Sequence, residues 1–140
     1  MATTMSAESF IDSVRRWAEV RNDILALAVV GSYARAEAHA DSDIDMVLIC
    51  SDPTRYLADP SWASAFGKVT DLVTEDWGLV KSVRVFYQDG PEVEFGIAVT
   101  AWTDIPPDPG TAAVVRDGCS NLLDRDGRLG RLQAVVGNSA

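Results

Sequence analysis

An uninterrupted apolar run, Ile24–Val30, ended abruptly by Gly31-Ser32, restricts the fold of this chain more than any other feature. Seven residues are far too few to cross a bilayer. An apolar run without polar alternation is instead a strand buried on both faces, so the chain must place material on both sides of a sheet. Upstream, Phe10, Ile11, Val14, Trp17 and Ala18 recur at helical spacing. With Ser6 as N-cap, they predict an amphipathic helix over 6–21. Downstream, 33–38 reads as a short helix opening at the glycine. The stretch 43–50 reads as a strand in which Ile44, Met46 and Leu48 alternate with Asp43, Asp45 and Val47. Residues 60–77 read as helical, with Trp62, Phe66, Val69 and Val73 near one face. The β-branched and aromatic runs 80–87 and 92–99 flank Asp89-Gly90, a hairpin signal. After the breakers of 104–110, the chain predicts a short helix over 111–116, a strand over 121–123, a turn over 124–127 and a helix from Arg128. Early alternation followed by a hairpin predicts an α/β (α+β) fold, a mixed β-sheet flanked by helices. A length of 140 residues predicts one domain.

Charge narrows the partners. Twelve Lys and Arg against twenty-one Asp and Glu leave a net charge of −9, with no basic run. Nucleic-acid binders neutralise phosphates with a basic footprint, so this balance argues against DNA or RNA as a partner. It suits a cationic ligand or basic partner, and it also keeps a surface soluble. Cys50 and Cys119 form no Cys-x-x-Cys pair, and a lone His39 completes no zinc site. They read as reduced thiols. Residues 1–10 lack a basic-then-apolar leader pattern, and the expectation is a cytoplasmic protein with no membrane partner.

Three features bear on chemistry. Gly31-Ser32 follows a buried strand at the predicted mouth of a helix, where free N–H groups and a bare backbone admit a phosphate. Asp43-Ile44-Asp45 sets two carboxylates side by side, because strand residues i and i+2 point the same way. Such a pair repels unless a cation joins it, and Mg²⁺ takes one or two carboxylates together with substrate phosphates. Glu92-Val93-Glu94 has the same geometry, and Glu94 lies deeper in its strand, where a carboxylate is costly unless paired or metal-bound. Glu92 reads as a solvated edge residue. Ser32, His39 and Asp43 lack the nucleophile elbow of a hydrolase. Taken singly these motifs are common. Gly-Ser, ten residues, then Asp-x-Asp occurs by chance in about one chain in several hundred.

The run Gly31-Ser32-Tyr33-Ala34-Arg35-Ala36-Glu37, then Asp41-Ser42-Asp43-Ile44-Asp45-Met46, resembles the DNA polymerase beta-like nucleotidyltransferase superfamily in its minimal form. Glu92-Val93-Glu94-Phe95-Gly96 resembles its third acidic strand, and Ala36 stands where the family often has glycine. The resemblance spans about residues 10–100. It implies catalysis by Asp43, Asp45 and Glu94, which would hold Mg²⁺ (or Mn²⁺) while Glu94 helps accept a proton. It implies nucleotide binding by Gly31, Ser32 and Arg35. The implied reaction moves a nucleoside monophosphate, AMP from ATP, to a hydroxyl on a small molecule or protein. Arg84 or Lys81 would touch phosphate or acceptor. The alternatives are an antitoxin that binds and adenylylates or neutralises a small helical toxin, and a nucleotide-binding domain without catalysis. Thirty residues follow Gly110, too few for the helical acceptor domain of many relatives, so a homo-oligomer or a protein acceptor would complete the site.

Overall fold

A computed structural model describes residues 6–35, 43–88 and 90–137. Helix α1 (Ala7–Glu19) starts where Ser6 caps it, the Ser6 side chain accepting from the Ser9 N–H. Strand β1 (Ile24–Val30) ends in a 3-10 turn at Gly31–Tyr33. Then come β2 (Ile44–Cys50), α2 (Pro53–Ala58), a 3-10 helix at Pro60–Phe66 and the strands β3 (Val69–Asp76), β4 (Val80–Tyr87) and β5 (Glu92–Ala98). A 3-10 turn at Thr100–Thr103 leads to α3 (Pro109–Asp117), β6 (Cys119–Asp124) and α4 (Arg128–Gly137). Among the described residues the strands form one six-stranded sheet in the order β3-β4-β5-β2-β1-β6. Only β2 and β5 run parallel; the other neighbours are antiparallel. The expected mixed α+β sheet is therefore the observed one.

β1 is buried on both faces, as its composition requires. Ile24, Leu27 and Val29 join Phe10, Val14 and Ala18 of α1 on the first face. There Phe95 is ringed by Phe10, Trp62 and Phe66 at 6.2, 5.0 and 5.9 Å between centroids. On the second face Ala26 and Ala28 are small, which lets Val115 of α3 and Leu129, Leu132 and Val136 of α4 pack close. These helices cover the β6-β1-β2 side of that face. Among the described residues a cleft opens beside them, over β4, β5 and the adjoining ends of β1 and β2.

One element departs from expectation. Residues 60–77 are not one helix but the 3-10 helix Pro60–Phe66 followed by β3. The apolar spacing of Trp62, Phe66, Val69 and Val73 mimics a helix period. Gly67 interrupts it, however, and the β-branched Val69, Thr70, Val73 and Thr74 fit a pleated edge once β4 offers a ladder. Leu72, opposite Val85, is the residue that turns to the core. Of the helix expected over 33–38, Tyr33 closes the 3-10 turn and Ala34 and Arg35 continue as a turn, while 36–38 lie outside the described residues, as do His39, Asp41, Ser42 and the hairpin's Asp89. No helix among the described residues is long and apolar enough to cross a membrane. Cys50 and Cys119 are free, and burial pushes their thiols up to about 12 and about 11, too high for reactive thiolates.

Candidate active site

Strand register builds the site. Asp45 on β2 is the partner of Glu94 on β5, and Glu94 is in turn the partner of Arg84 on β4. The three side chains stand in a row on the open face. Val30 is the partner of Asp45 on the other side, so the turn after β1 begins where the carboxylates stand. Gly31 adopts φ +75°, and a Cβ there would lie 3.0 Å from an Asp45 carboxylate oxygen. Both the backbone conformation and the close approach require glycine.

Burial raises the Asp45 pKa to about 6, helped by the neighbouring Glu94 charge, a hydrogen bond with Glu94 and the Asp43 charge. Glu92 is also raised, chiefly by a hydrogen bond with Asp43 and by burial. Glu92 is thus not the solvated edge residue expected. Its side chain is 29% exposed and its carboxylate accepts from Arg84 Nη1 at 2.7 Å. Arg84 also reaches Asp43 at 3.4 Å, Glu94 at 3.5 Å and Glu75 of β3 at 3.7 Å. One guanidinium therefore balances carboxylates from β3, β5 and the start of β2.

A cleft of about 800 Å³ opens beside this row. Gly31, Asp45, Arg84 and Glu94 line its floor, while Trp77, Trp102, Thr111 and Asp117 form parts of its walls. Asp43, Ser32 and Arg35 lie off the lining. Asp43 immediately precedes β2, and Ser32 sits in the Gly31–Tyr33 turn. Arg35 donates to the Gly31 carbonyl through its backbone at 3.1 Å and to Asp117 of α3 through Nη1 at 2.6 Å. Gly118, just past α3, presses on this turn; a Cβ there would be 2.8 Å from Arg35 Cγ. The C-terminal part of the chain thereby props the glycine turn. Lys81 pairs at 4.0 Å with Asp76, away from the row.

The donor set suits a divalent cation of the hard class, since it consists of carboxylate oxygens and a bound cation would offset the cost that burial and the facing Glu94 place on the charged form of Asp45. Among the described residues no three His, Cys, Asp or Glu groups are already gathered at metal-holding distances. Mg²⁺ typically takes only one or two protein carboxylates, with water and substrate phosphates supplying the rest.

Of the residues named from the sequence, Gly31, Asp45 and Glu94 share the cleft lining, and Asp43 joins them through Arg84. Sequence reasoning missed the central place of Arg84, the pairing of Glu92 and the arrival of Glu75 on the same face. The alternation of positions 80, 82 and 84 opposite 92, 94 and 96 carried that signal for Arg84. Glu75 was hidden because its segment mimics a helix.

A mixed sheet with acidic side chains on its two parallel strands, opened by a glycine turn, defines a nucleotidyltransferase-like protein. The family described as streptomycin adenylyltransferase matches residues 4–136, and the chain belongs to it, within the nucleotidyltransferase superfamily. No curated protein sequence matches. An aminoglycoside 6-adenyltransferase from Bacillus subtilis superposes with a TM-score of 0.57 at 14% identity, over 70% of this chain and 36% of that one. A CCA-adding enzyme in complex with CTP gives 0.45 at 18% identity, over 94% of this chain and 33% of that one. This chain spans about a third of the length of either structure.

Proposed function

We propose that this chain is a Mg²⁺-dependent nucleotidyltransferase, with Mn²⁺ as a substitute, that moves AMP from ATP to a hydroxyl acceptor. The observation that carries this reading is the alignment of Asp45 and Glu94 across β2 and β5, with Gly31 against the Asp45 carboxylate. Asp43, Asp45 and Glu94 would hold the divalent ion, which when bound neutralises the phosphates and polarises the transferred group. Gly31 leaves the backbone open to a phosphate, and Ser32 and Arg35 stand beside it to grip the leaving pyrophosphate. Glu94 accepts the proton of the attacking hydroxyl. The acceptor oxygen forms a bond to the α-phosphorus as the α–β anhydride bond breaks, and pyrophosphate leaves with the electron pair. Asp108 and Asp117 in the cleft lining, with the net charge of −9, favour a polycationic hydroxylated small molecule as acceptor.

Thermal shift with each of the four nucleoside triphosphates, with and without Mg²⁺, tests the donor site. At about 100 times the dissociation constant, a bound ligand adds roughly 2.7 kcal/mol. A Mg²⁺-dependent rise with ATP that disappears in Asp45→Asn is expected. No rise with any triphosphate overturns the transferase reading in favour of a domain that binds a protein partner.

A further inference from the structure

The row of carboxylates already contains a cation. Arg84 enters from β4 with its backbone fixed on both sides, opposite Val73 of β3 and Glu94 of β5. Its side chain is 27% exposed, and its guanidinium touches Glu92, Asp43, Glu94 and Glu75 at 2.7, 3.4, 3.5 and 3.7 Å. Asp43 and Glu94 are the groups that the proposed function assigns to the metal. Oxygens that bind a divalent ion do so at about 2 Å, with little room for a guanidinium on the same lone pairs. An arginine stem has several free torsions, and Glu75 holds Nε from β3, the strand on the other side of β4 from β5 and β2. The cleft that Arg84 lines also contains Gly31, where the phosphates of the donor would lie.

Resting on the reading of these carboxylates as a metal site, we propose that Arg84 is a built-in counter-ion and positioning residue. It neutralises the carboxylates until a divalent ion displaces it, and the released guanidinium then turns to the triphosphate. Metal and nucleotide therefore load together. The metal alone binds weakly because it must dislodge Arg84, and the nucleotide alone binds weakly because Arg84 is held by the carboxylates. Each lifts the penalty on the other, by the same factor in both directions.

The direct test is Mn²⁺ binding to the metal-stripped chain at pH 8, followed by electron paramagnetic resonance. Wild type is compared with Arg84→Gln, Arg84→Lys and Asp45→Asn. A divalent and a monovalent cation about 5 Å apart repel enough, even in water-like dielectric and physiological salt, to change affinity by about threefold to tenfold. Arg84→Gln should bind Mn²⁺ tighter by that factor, and ATP should tighten Mn²⁺ binding less in it than in wild type, since only the direct coordination by the phosphates remains. Arg84→Lys, which keeps the charge, should stay near wild type in Mn²⁺ affinity, an outcome that a purely structural role would not produce. Equal or weaker Mn²⁺ binding by Arg84→Gln, with binding still lost in Asp45→Asn, overturns the role of Arg84 and leaves the metal site standing. Binding that is absent from every chain, or indifferent to Asp45→Asn, overturns the metal reading and this inference with it. A second measurement uses wild type alone. The Arg84 Nε–H resonance, assigned by its loss in Arg84→Lys, should move as Mg²⁺ saturates the Asp45 and Glu94 amide shifts. A resonance that stays in place at saturation sinks the proposal even if Arg84→Gln does not fold.

Discussion

Asp45 shows how one residue can trade stability for a site. Its folded pKa of about 6 lies above the ordinary carboxylate value because of burial and the facing Glu94. A raised carboxyl contributes stability that is complete below the unfolded pKa near 3.8 and is lost as pH rises through about 6. The metal-stripped chain should therefore lose stability between pH 4 and 7, and Asp45→Asn should flatten that loss and melt higher at pH 7. Urea titrations of both chains across this range check it; a parallel decline in Asp45→Asn would refute the assignment. Gly31 is the second such residue. Gly31→Ala places a Cβ at φ +75° and 3.0 Å from the Asp45 carboxylate, so it should cost about 1–3 kcal/mol and abolish the Mg²⁺-dependent ATP shift. The Asp45 and Gly31 motif was visible in the sequence because both constraints are local: strand alternation for one, a left-handed turn for the other.

At the scale of elements, Arg125 ties β6 to the end of α1. Its Nε donates to the Ile24 carbonyl at 2.7 Å, and its Nη2 donates to the carbonyls of Ala18, Glu19 and Arg21 at 2.9, 2.9 and 3.0 Å. A helix C-terminus leaves such carbonyls unsatisfied, and a planar five-donor group suits several at once. Arg125→Ala should cost about 2 kcal/mol by thermal melt, and Arg125→Lys should recover only part of it. The opposite edge strand, β3, has no partner beyond β4 among the described residues and carries Asp71, Glu75 and Asp76, charges that discourage pairing with another chain. Helices α1, α3 and α4 and the hairpin strands were legible from periodicity and breakers. β3 was not, because a partly exposed edge strand needs no strict alternation and its Val69 and Val73 happened to continue the spacing of Trp62 and Phe66 at three and four.

For the whole molecule, the division of labour lies between the two sheet faces. One is sealed by α1 and the aromatic cluster around Phe95. The other is half sealed by α3 and α4 and half left as the cleft. Leu132, fully buried on α4, helps hold α3 and β6 against the glycine turn. Leu132→Ala should cost about 2–4 kcal/mol by denaturant unfolding and weaken ATP binding, because α3 carries the Asp117 that anchors Arg35. What depends on neighbours in the chain could be read from composition and spacing alone: the doubly buried β1, the glycine turn, the Asp-x-Asp strand, the hairpin and the class of fold. What depends on register between distant strands could not. Asp45 faces Glu94 across a parallel pair separated by more than forty residues, and Arg84 and Glu75 join them only because β4 and β3 stack beside β5. Side-chain pairing across a sheet is set by which strands become neighbours and with what offset, and tertiary packing makes that choice. The charge balance of the site, and the internal cation it contains, therefore emerged only in three dimensions.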